Sequence, residues 1–267
     1  MARPSVPFTK ATACGNDFLI IESVHIPPDP AEFTRRICDR HDGVGADGVE
    51  WIFPGTAGAE VEARLINADG SPAEVSGNGT RCVAAWWNSR KAPQQSLIKV
   101  LTGAGVKECR AISHSAGLYK FEMNLGSAEV LGEIAIPLGR GEVSGWKIWM
   151  GNPQFVVFVD DFKFHWQARG AEIQAQKNIF PEGTNVDFVR ITGPNAVECR
   201  FFERGAGETM SSGTGTCASA IAAMVAHGVG MPVTVTSRGG AQEVLWSGGS
   251  VQLTGPARLV CDGEFFI

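Results

Sequence analysis

Residues 67–82 read N-A-D-G-S-P-A-E-V-S-G-N-G-T-R-C and run into an apolar segment, 83–87. Residues 203–217 read E-R-G-A-G-E-T-M-S-S-G-T-G-T-C and run into a second apolar segment, 218–226. Each stretch sets a serine, Ser76 or Ser212, directly before Gly-x-Gly and a helix-forming segment. Glycine lets the backbone turn tightly and bring its N–H groups close to a ligand. The first N–H groups of a helix lack internal partners and carry partial positive charge. Each copy therefore reads as a cradle for a carboxylate or phosphate, with one side chain aimed at the bound group. A cradle that occurs twice predicts two similar halves facing one ligand.

The flanking sequence predicts an α/β fold. Residues 8–12 and 19–22 read as strands joined by a polar turn, C-G-N-D-F. Asp29 and Pro30 read as the N-cap and first residue of a helix reaching Arg40. Strands follow at 49–53 and 61–66, the second delivering Asn67 into the first cradle. The helix after Ser76 carries V-A-A-W-W and is apolar on nearly every face, so it belongs inside a layer of sheet. Residues 98–102, 105–113 and 118–125 read as further strands. The second half repeats the plan, with strands at 146–150 and 155–159 and a short helix between 166 and 176. Residues 183–189 read as a turn entering a strand, and 197–203 lead to the second cradle. An apolar helix from Thr216 to His227 stops at Gly228, and strands at 233–237, 242–246, 250–254 and 257–260 close the chain. The weakest joint falls at 115–117, which predicts one domain over 1–117 and another over 118–254.

Composition narrows the function. The 267 residues are 44% hydrophobic and 19% charged, enough for a substantial core and unlike a disordered chain. With a net charge of −5 and no run of Lys or Arg, the chain is not built to track nucleic acid. No stretch reaches the roughly 18 apolar residues of a membrane span, and the first residues do not form a signal peptide, so the expected location is the cytoplasm. The seven cysteines are scattered without a C-x-x-C pair, which gives no support to a metal site.

A ligand carboxylate held by backbone N–H groups, with a serine on either side, suits proton removal from one face of a carbon and delivery to the other. That is the logic of a two-base racemase, with the oriented N–H dipoles stabilising the enolate-like charge. A cysteine, with an ordinary pKa of ~8.5 that falls at a helix N-terminus, is a credible base there. A serine hydroxyl lies above even tyrosine's ~10 and needs a neighbouring base. None of the histidines, at 25, 41, 114, 165 and 227, lies near either cradle in sequence. The nearest ionisable residues are Glu74, Glu203 and Glu208. Ser76 and Ser212 also fit plain helix N-caps, and the asparagines fit turn formers.

Over nearly its whole length the chain resembles diaminopimelate epimerases. The matching segments are C-G-N-D-F (14–18), G-V-G-A-D-G (43–48), N-A-D-G-S-P-A-E (67–74), S-G-N-G-T-R-C (76–82), M-G-N-P (150–153), G-T-N-V-D-F (183–188), E-R-G-A-G-E-T (203–209) and S-G-T-G-T-C (212–217). The resemblance implies two pseudo-symmetric α/β domains, each a mixed sheet wrapped around a central helix, with a cleft between them. It places 255–267 with the N-terminal domain. It implies an amino-acid epimerase without cofactor or metal, a small amino-acid substrate and a homodimer. Carried onto this sequence, Ser76 and Ser212 take the catalytic positions. Asn16, Asn67, Asn152 and Asn185, with Glu203 and Arg204, hold the substrate, and Gly77, Asn78, Gly213 and Thr214 form the cradles. The sequence departs from the family at the centre of the mechanism. Both catalytic cysteines are serines, and the histidine of M-G-N-P-H is Gln154. Cys82 and Cys217 lie about a turn or more into their helices, whereas Cys14 precedes a ligand-binding loop. Three accounts fit: an epimerase whose cysteines were replaced by design, a natural relative acting as dehydratase or isomerase on another amino acid, and a binding protein without chemistry.

Overall fold

A computed structural model describes residues 4–93, 95–139 and 141–267. The chain forms two compact units: one of residues up to Met123 together with Gly255–Ile267, the other of Asn124–Thr254.

The first unit opens with β1 (Ser5–Ala13) and β2 (Asn16–Glu22), an antiparallel hairpin. Its two turn residues, Cys14 and Gly15, have φ of 49° and 85°. Two left-handed residues match the twist of the flanking strands in a two-residue hairpin. Helix α1 (Pro30–Cys38) is capped by the Asp29 side chain, which accepts from the Glu32 N–H. It ends two residues short of the expected Arg40. Strand β3 (Gly48–Pro54) then runs parallel to β2, and β4 (Val61–Asn67) returns antiparallel to β3. After the two-residue β5 (Pro72–Ala73) comes α2 (Gly77–Arg90), followed by β6 (Leu97–Thr102), β7 (Gly105–Ser115) and β8 (Leu118–Ser127). Residues Cys82 to Ala85 of α2 are wholly buried, so this helix is the centre of the unit rather than a surface element.

The second unit repeats this order. Strands β9 (Glu129–Leu138) and β10 (Gly141–Trp149) form an antiparallel pair, and β10 pairs with β11 (Pro153–Phe158). Helix α3 (Trp166–Gln174) connects β11 to the parallel β12 (Asn185–Gly193), and β13 (Ala196–Glu203) returns antiparallel. The short β14 (Gly207–Thr209) precedes α4 (Gly213–His227), and β15 (Val233–Ser237), β16 (Gly240–Ser247) and β17 (Ser250–Phe266) follow. Alanine dominates α4, whose small side chains favour the helix and let the sheet close around it. Cys217, Ala218, Ala220, Ile221, Ala222 and Ala223 share a core with Val189, Val197, Phe201, Val235 and Leu253. Gly228, with φ of 65°, ends the helix as expected.

The architecture is the expected α/β one, mixed sheet wrapped around central helices. Besides the earlier end of α1 and the short β5 and β14, three local features differ from the sequence reading. Strand β9 has no counterpart there; Gly132, at φ 99°, permits a register shift in which Leu131 is the extra residue. The closing segments 250–254 and 257–260 are one strand, β17, whose later part pairs with β1 from Thr12↔Arg258 to Ser5↔Phe266. Helix α4 begins at Gly213 rather than Thr216, so the Gly-x-Gly is its first turn.

Candidate active site

Both helices begin in the same way. Ser76 is extended (φ −123°, ψ 122°) and its side chain accepts from the Gly79 N–H at 3.1 Å. Ser212 is extended (φ −139°, ψ 126°) and accepts from the Gly215 N–H at 3.2 Å. The first-turn N–H groups not taken by these caps have no carbonyl a turn earlier to receive them. The capping role and the site role are thus compatible: capping orients each hydroxyl at the head of the helix, where negative charge is favoured.

Around Ser76, the hairpin and α2 are tied by side chains. Asn78 Nδ2 donates to Asn16 Oδ1 at 2.7 Å, and Asn16 Nδ2 donates to Asp47 Oδ2 at 2.9 Å. The buried Arg81 donates to Asn78 Oδ1 and, at 3.7 Å, to Cys14 Sγ. Burial holds the Cys14 thiol above its ordinary pKa despite Arg81. Burial likewise raises Cys82, so neither thiol is poised as a base. Asn67 closes the turn at 67–71, donating from Nδ2 to Ser71 Oγ at 3.1 Å.

Around Ser212 the polar groups are denser. Its side chain lies near enough to the Glu203 carboxylate to pull that group's pKa down, against the larger rise that burial gives it. Thr214 Oγ1 accepts from Gln154 Nε2 at 3.0 Å and from Asn152 Nδ2 at 3.4 Å. Gln154 Nε2 also donates to Asn152 Oδ1 at 2.7 Å, while its Oε1 is buried without a hydrogen-bond partner. Asn185 donates from Nδ2 to the Pro153 carbonyl at 3.3 Å, and its Oδ1 accepts the Arg204 N–H at 2.9 Å. The Arg204 side chain is exposed and donates to the Glu182 carbonyl. The structure therefore brings Asn16 and Asn78 together in one unit, and Asn152, Gln154 and Thr214 in the other. Gly77 and Gly213 open the two helices.

Two acids escaped the sequence reading. Glu50 and Asp187 are each the third residue of an equivalent strand, β3 and β12. Val49 and Trp51 share a core with Phe33 and Ile37 of α1, while Glu50 lies on the opposite face against Gly79. Val186 and Phe188 share a core with Trp166 and Ile173 of α3, while Asp187 meets Gly215. A Cβ on Gly79 would lie 2.1 Å from Glu50 Oε1, and one on Gly215 would lie 2.8 Å from Asp187 Oδ1. Burial pushes the Glu50 carboxyl up to about 8. Burial raises Asp187 as well, with the nearby Glu203 charge adding to it, and neither Asp187 oxygen has a hydrogen-bond partner. The signal was an acid inside an apolar strand, V-E-W-I and V-D-F-V.

Among the described residues, no group of three or more His, Cys, Asp or Glu side chains is placed to hold a metal ion. Among them, too, no helix is long and apolar enough to cross a membrane.

The family model for diaminopimelate epimerase matches residues 8–131 and 147–260. The diaminopimelate epimerase of Xylella fastidiosa is 38% identical over 272 residues, covering 97% of this chain and 96% of that protein. That of Pelotomaculum thermopropionicum is 35% identical over 276 residues, covering 97% and 98%. Among solved structures, a probable proline racemase from Agrobacterium radiobacter superposes with a TM-score of 0.70 at 14% identity, covering 98% of this chain and 93% of that one. A hydroxyproline epimerase from Agrobacterium vitis superposes with a TM-score of 0.69 at 15% identity, covering 99% and 92%. At such identities these two share the fold.

Proposed function

The chain belongs to the diaminopimelate epimerase family, and we propose that it interconverts LL- and meso-diaminopimelate with Ser76 and Ser212 as its two proton carriers. It is an isomerase of the amino-acid epimerase type, a class that in this family serves lysine biosynthesis without a cofactor. The observation that carries the proposal is the closeness of Ser212 to the Glu203 carboxylate, whose pKa burial raises. It supplies what a serine base needs, a carboxylate beside the hydroxyl and made more basic by burial. Glu203 thus serves as the partner of Ser212, a role different from the substrate-holding one the resemblance implies.

In this reading each helix start, Gly77 and Asn78 in one unit and Gly213 and Thr214 in the other, offers backbone N–H groups to a ligand carboxylate. As one serine takes the α-proton, those dipoles stabilise the charge spreading into the carboxylate, and the other serine protonates the opposite face. Asn16 and Asn185, whose amides are held by protein partners, act by fixing the loops that contact the ligand, alongside Asn67, Asn152 and Arg204. A cytoplasmic homodimer completes this reading, and sedimentation of the purified protein tests its second half.

The reaction is tested by α-proton exchange. The protein is incubated in heavy water with LL- and with meso-diaminopimelate, and loss of the α-proton signal is followed by NMR. Exchange from both supports the epimerase. Loss of the α-proton from a different amino acid alone replaces the substrate and favours the dehydratase or isomerase reading, for which Gln154 in place of histidine speaks. No exchange together with saturable binding by calorimetry makes the chain a binding protein.

A further inference from the structure

Resting on the two-serine reading, we infer that Glu50 is the proton acceptor that activates Ser76. The two units solve the serine problem differently. In the second unit the last residue of β13 is Glu203, which lies beside Ser212. The last residue of β4 in the first unit is Asn67, whose amide cannot take a proton and is turned to Ser71. The first unit therefore needs its carboxylate from elsewhere, and Glu50 is the acid placed against its cradle.

The approach is close. Glu50 Oε1 and the Ser76 Cβ lie 2.1 and 3.2 Å from the one point where a Gly79 Cβ would sit. Only a glycine at position 79 leaves that space open, so the Glu50 carboxyl and the Ser76 side chain border the same space over a bare Cα. In this role the Ser76 hydroxyl leaves the Gly79 N–H and turns about the Cα–Cβ bond towards Glu50. Ile20 and Leu65 flank Glu50 in the sheet, and Cys82 lies one turn along α2 with a thiol kept protonated by burial. Burial is what raises the Glu50 carboxyl, and among the described residues none forms an ion pair with it. An acid placed without a charge partner in an apolar sheet–helix interface is costly unless it is used.

The proton balance closes. In the molecules whose Glu50 is ionised, the minor form below its raised pKa of about 8, and whose Glu203 is protonated, the Ser76 O–H bond breaks as an O–H bond forms on Glu50, and the Ser76 oxygen takes the α-proton. The electron pair stays on the α-carbon, which takes the Ser212 hydroxyl proton on its other face, and Glu203 refills Ser212. One turnover moves a proton from Glu203 to Glu50, and the reverse reaction returns it.

Glu50 acts through Ser76 and does not touch the ligand, so the test separates the two directions. LL-diaminopimelate reports exchange at an L centre and the meso form exchange at a D centre. Glu50→Gln is expected to slow exchange from one configuration by about 10²-fold or more, the usual scale of a lost general base, and to leave the other nearly unchanged. Glu203→Gln should produce the mirror-image loss. The surviving exchange shows in each case that the variant is folded. A Glu50→Gln variant that slows both configurations equally, or neither, overturns the assignment while leaving the epimerase in place. A wild-type protein that exchanges neither overturns the epimerase reading and this one with it.

Discussion

Replacing Glu50 by glutamine should flatten the pH dependence of folding stability between about pH 4.5 and 8. Glu50 is 3% exposed, and burial lifts its carboxyl from the usual 4.5 to about 8. Between those values the folded chain keeps a proton that the unfolded chain has released. Stability is therefore complete below pH 4.5 and falls as pH rises through about 8, above which both states are ionised and the slope vanishes. At ~1.36 kcal/mol per pKa unit, the interval corresponds to on the order of 4–5 kcal/mol. Glutamine keeps the shape and polarity but does not titrate, so the variant loses this slope and keeps the contributions of all other groups. The assay is urea unfolding at a series of pH values from 5 to 9, followed by tryptophan fluorescence, since Trp51 and Trp86 are buried in the same unit as Glu50. Relative to wild type, the variant should gain stability steadily across the window and then run parallel above it. Parallel curves throughout would refute the claim that Glu50 is a buried neutral acid in the resting protein.

Gly79→Ala should destabilise the protein by about 1–3 kcal/mol, the usual cost of overpacking, because its Cβ meets Glu50 Oε1 and Ser76; Gly77→Ala, with nothing within 4 Å, should be neutral or slightly stabilising in the same thermal melts. Ser212→Ala should lose about 1 kcal/mol as a missing N-cap and abolish exchange from one configuration of diaminopimelate, whereas a purely capping serine would show only the stability loss. Cysteine at both positions 76 and 212 should raise the exchange rate, since a thiol at a helix N-terminus ionises near neutral pH. In that double variant, adding Glu50→Gln should cost far less than it does with serine, a coupling that a double-mutant cycle on exchange rates measures directly.

The duplicated cradle was legible because it rests on local chemistry: a serine cap, two glycines and an apolar helix are adjacent in sequence. From it the α/β class, the central helices and most strands followed. Strand β9 was not legible, because the φ of 99° that Gly132 adopts turns an apparent breaker into a register shift. Cys14 read as a candidate base because it precedes a polar loop, yet it fills a left-handed turn position with a buried thiol. Glu50 and Asp187 were invisible for a different reason. An acid in an apolar strand looks like a solvent-facing position until the sheet is seen to carry a helix on each face, α1 or α3 on one and α2 or α4 on the other.

A thiol brings its own acidity to a helix N-terminus; a hydroxyl must borrow a base. Exchanging one for the other at a proton-transfer site therefore transfers the chemical demand to the neighbours. The two units meet that demand from different strands because their strand ends differ, Asn67 in one and Glu203 in the other. Asp187 shows why the symmetric answer fails in the second unit: one methylene shorter than glutamate, it reaches Gly215 and yet bonds to nothing. Its neutrality has a use all the same. A charge on Asp187 would raise Glu203 further and hold it protonated, so a protonated Asp187 is what leaves Glu203 free to cycle. The acids on the two equivalent strands then part ways chemically, since Glu50 receives a proton and Asp187 keeps one.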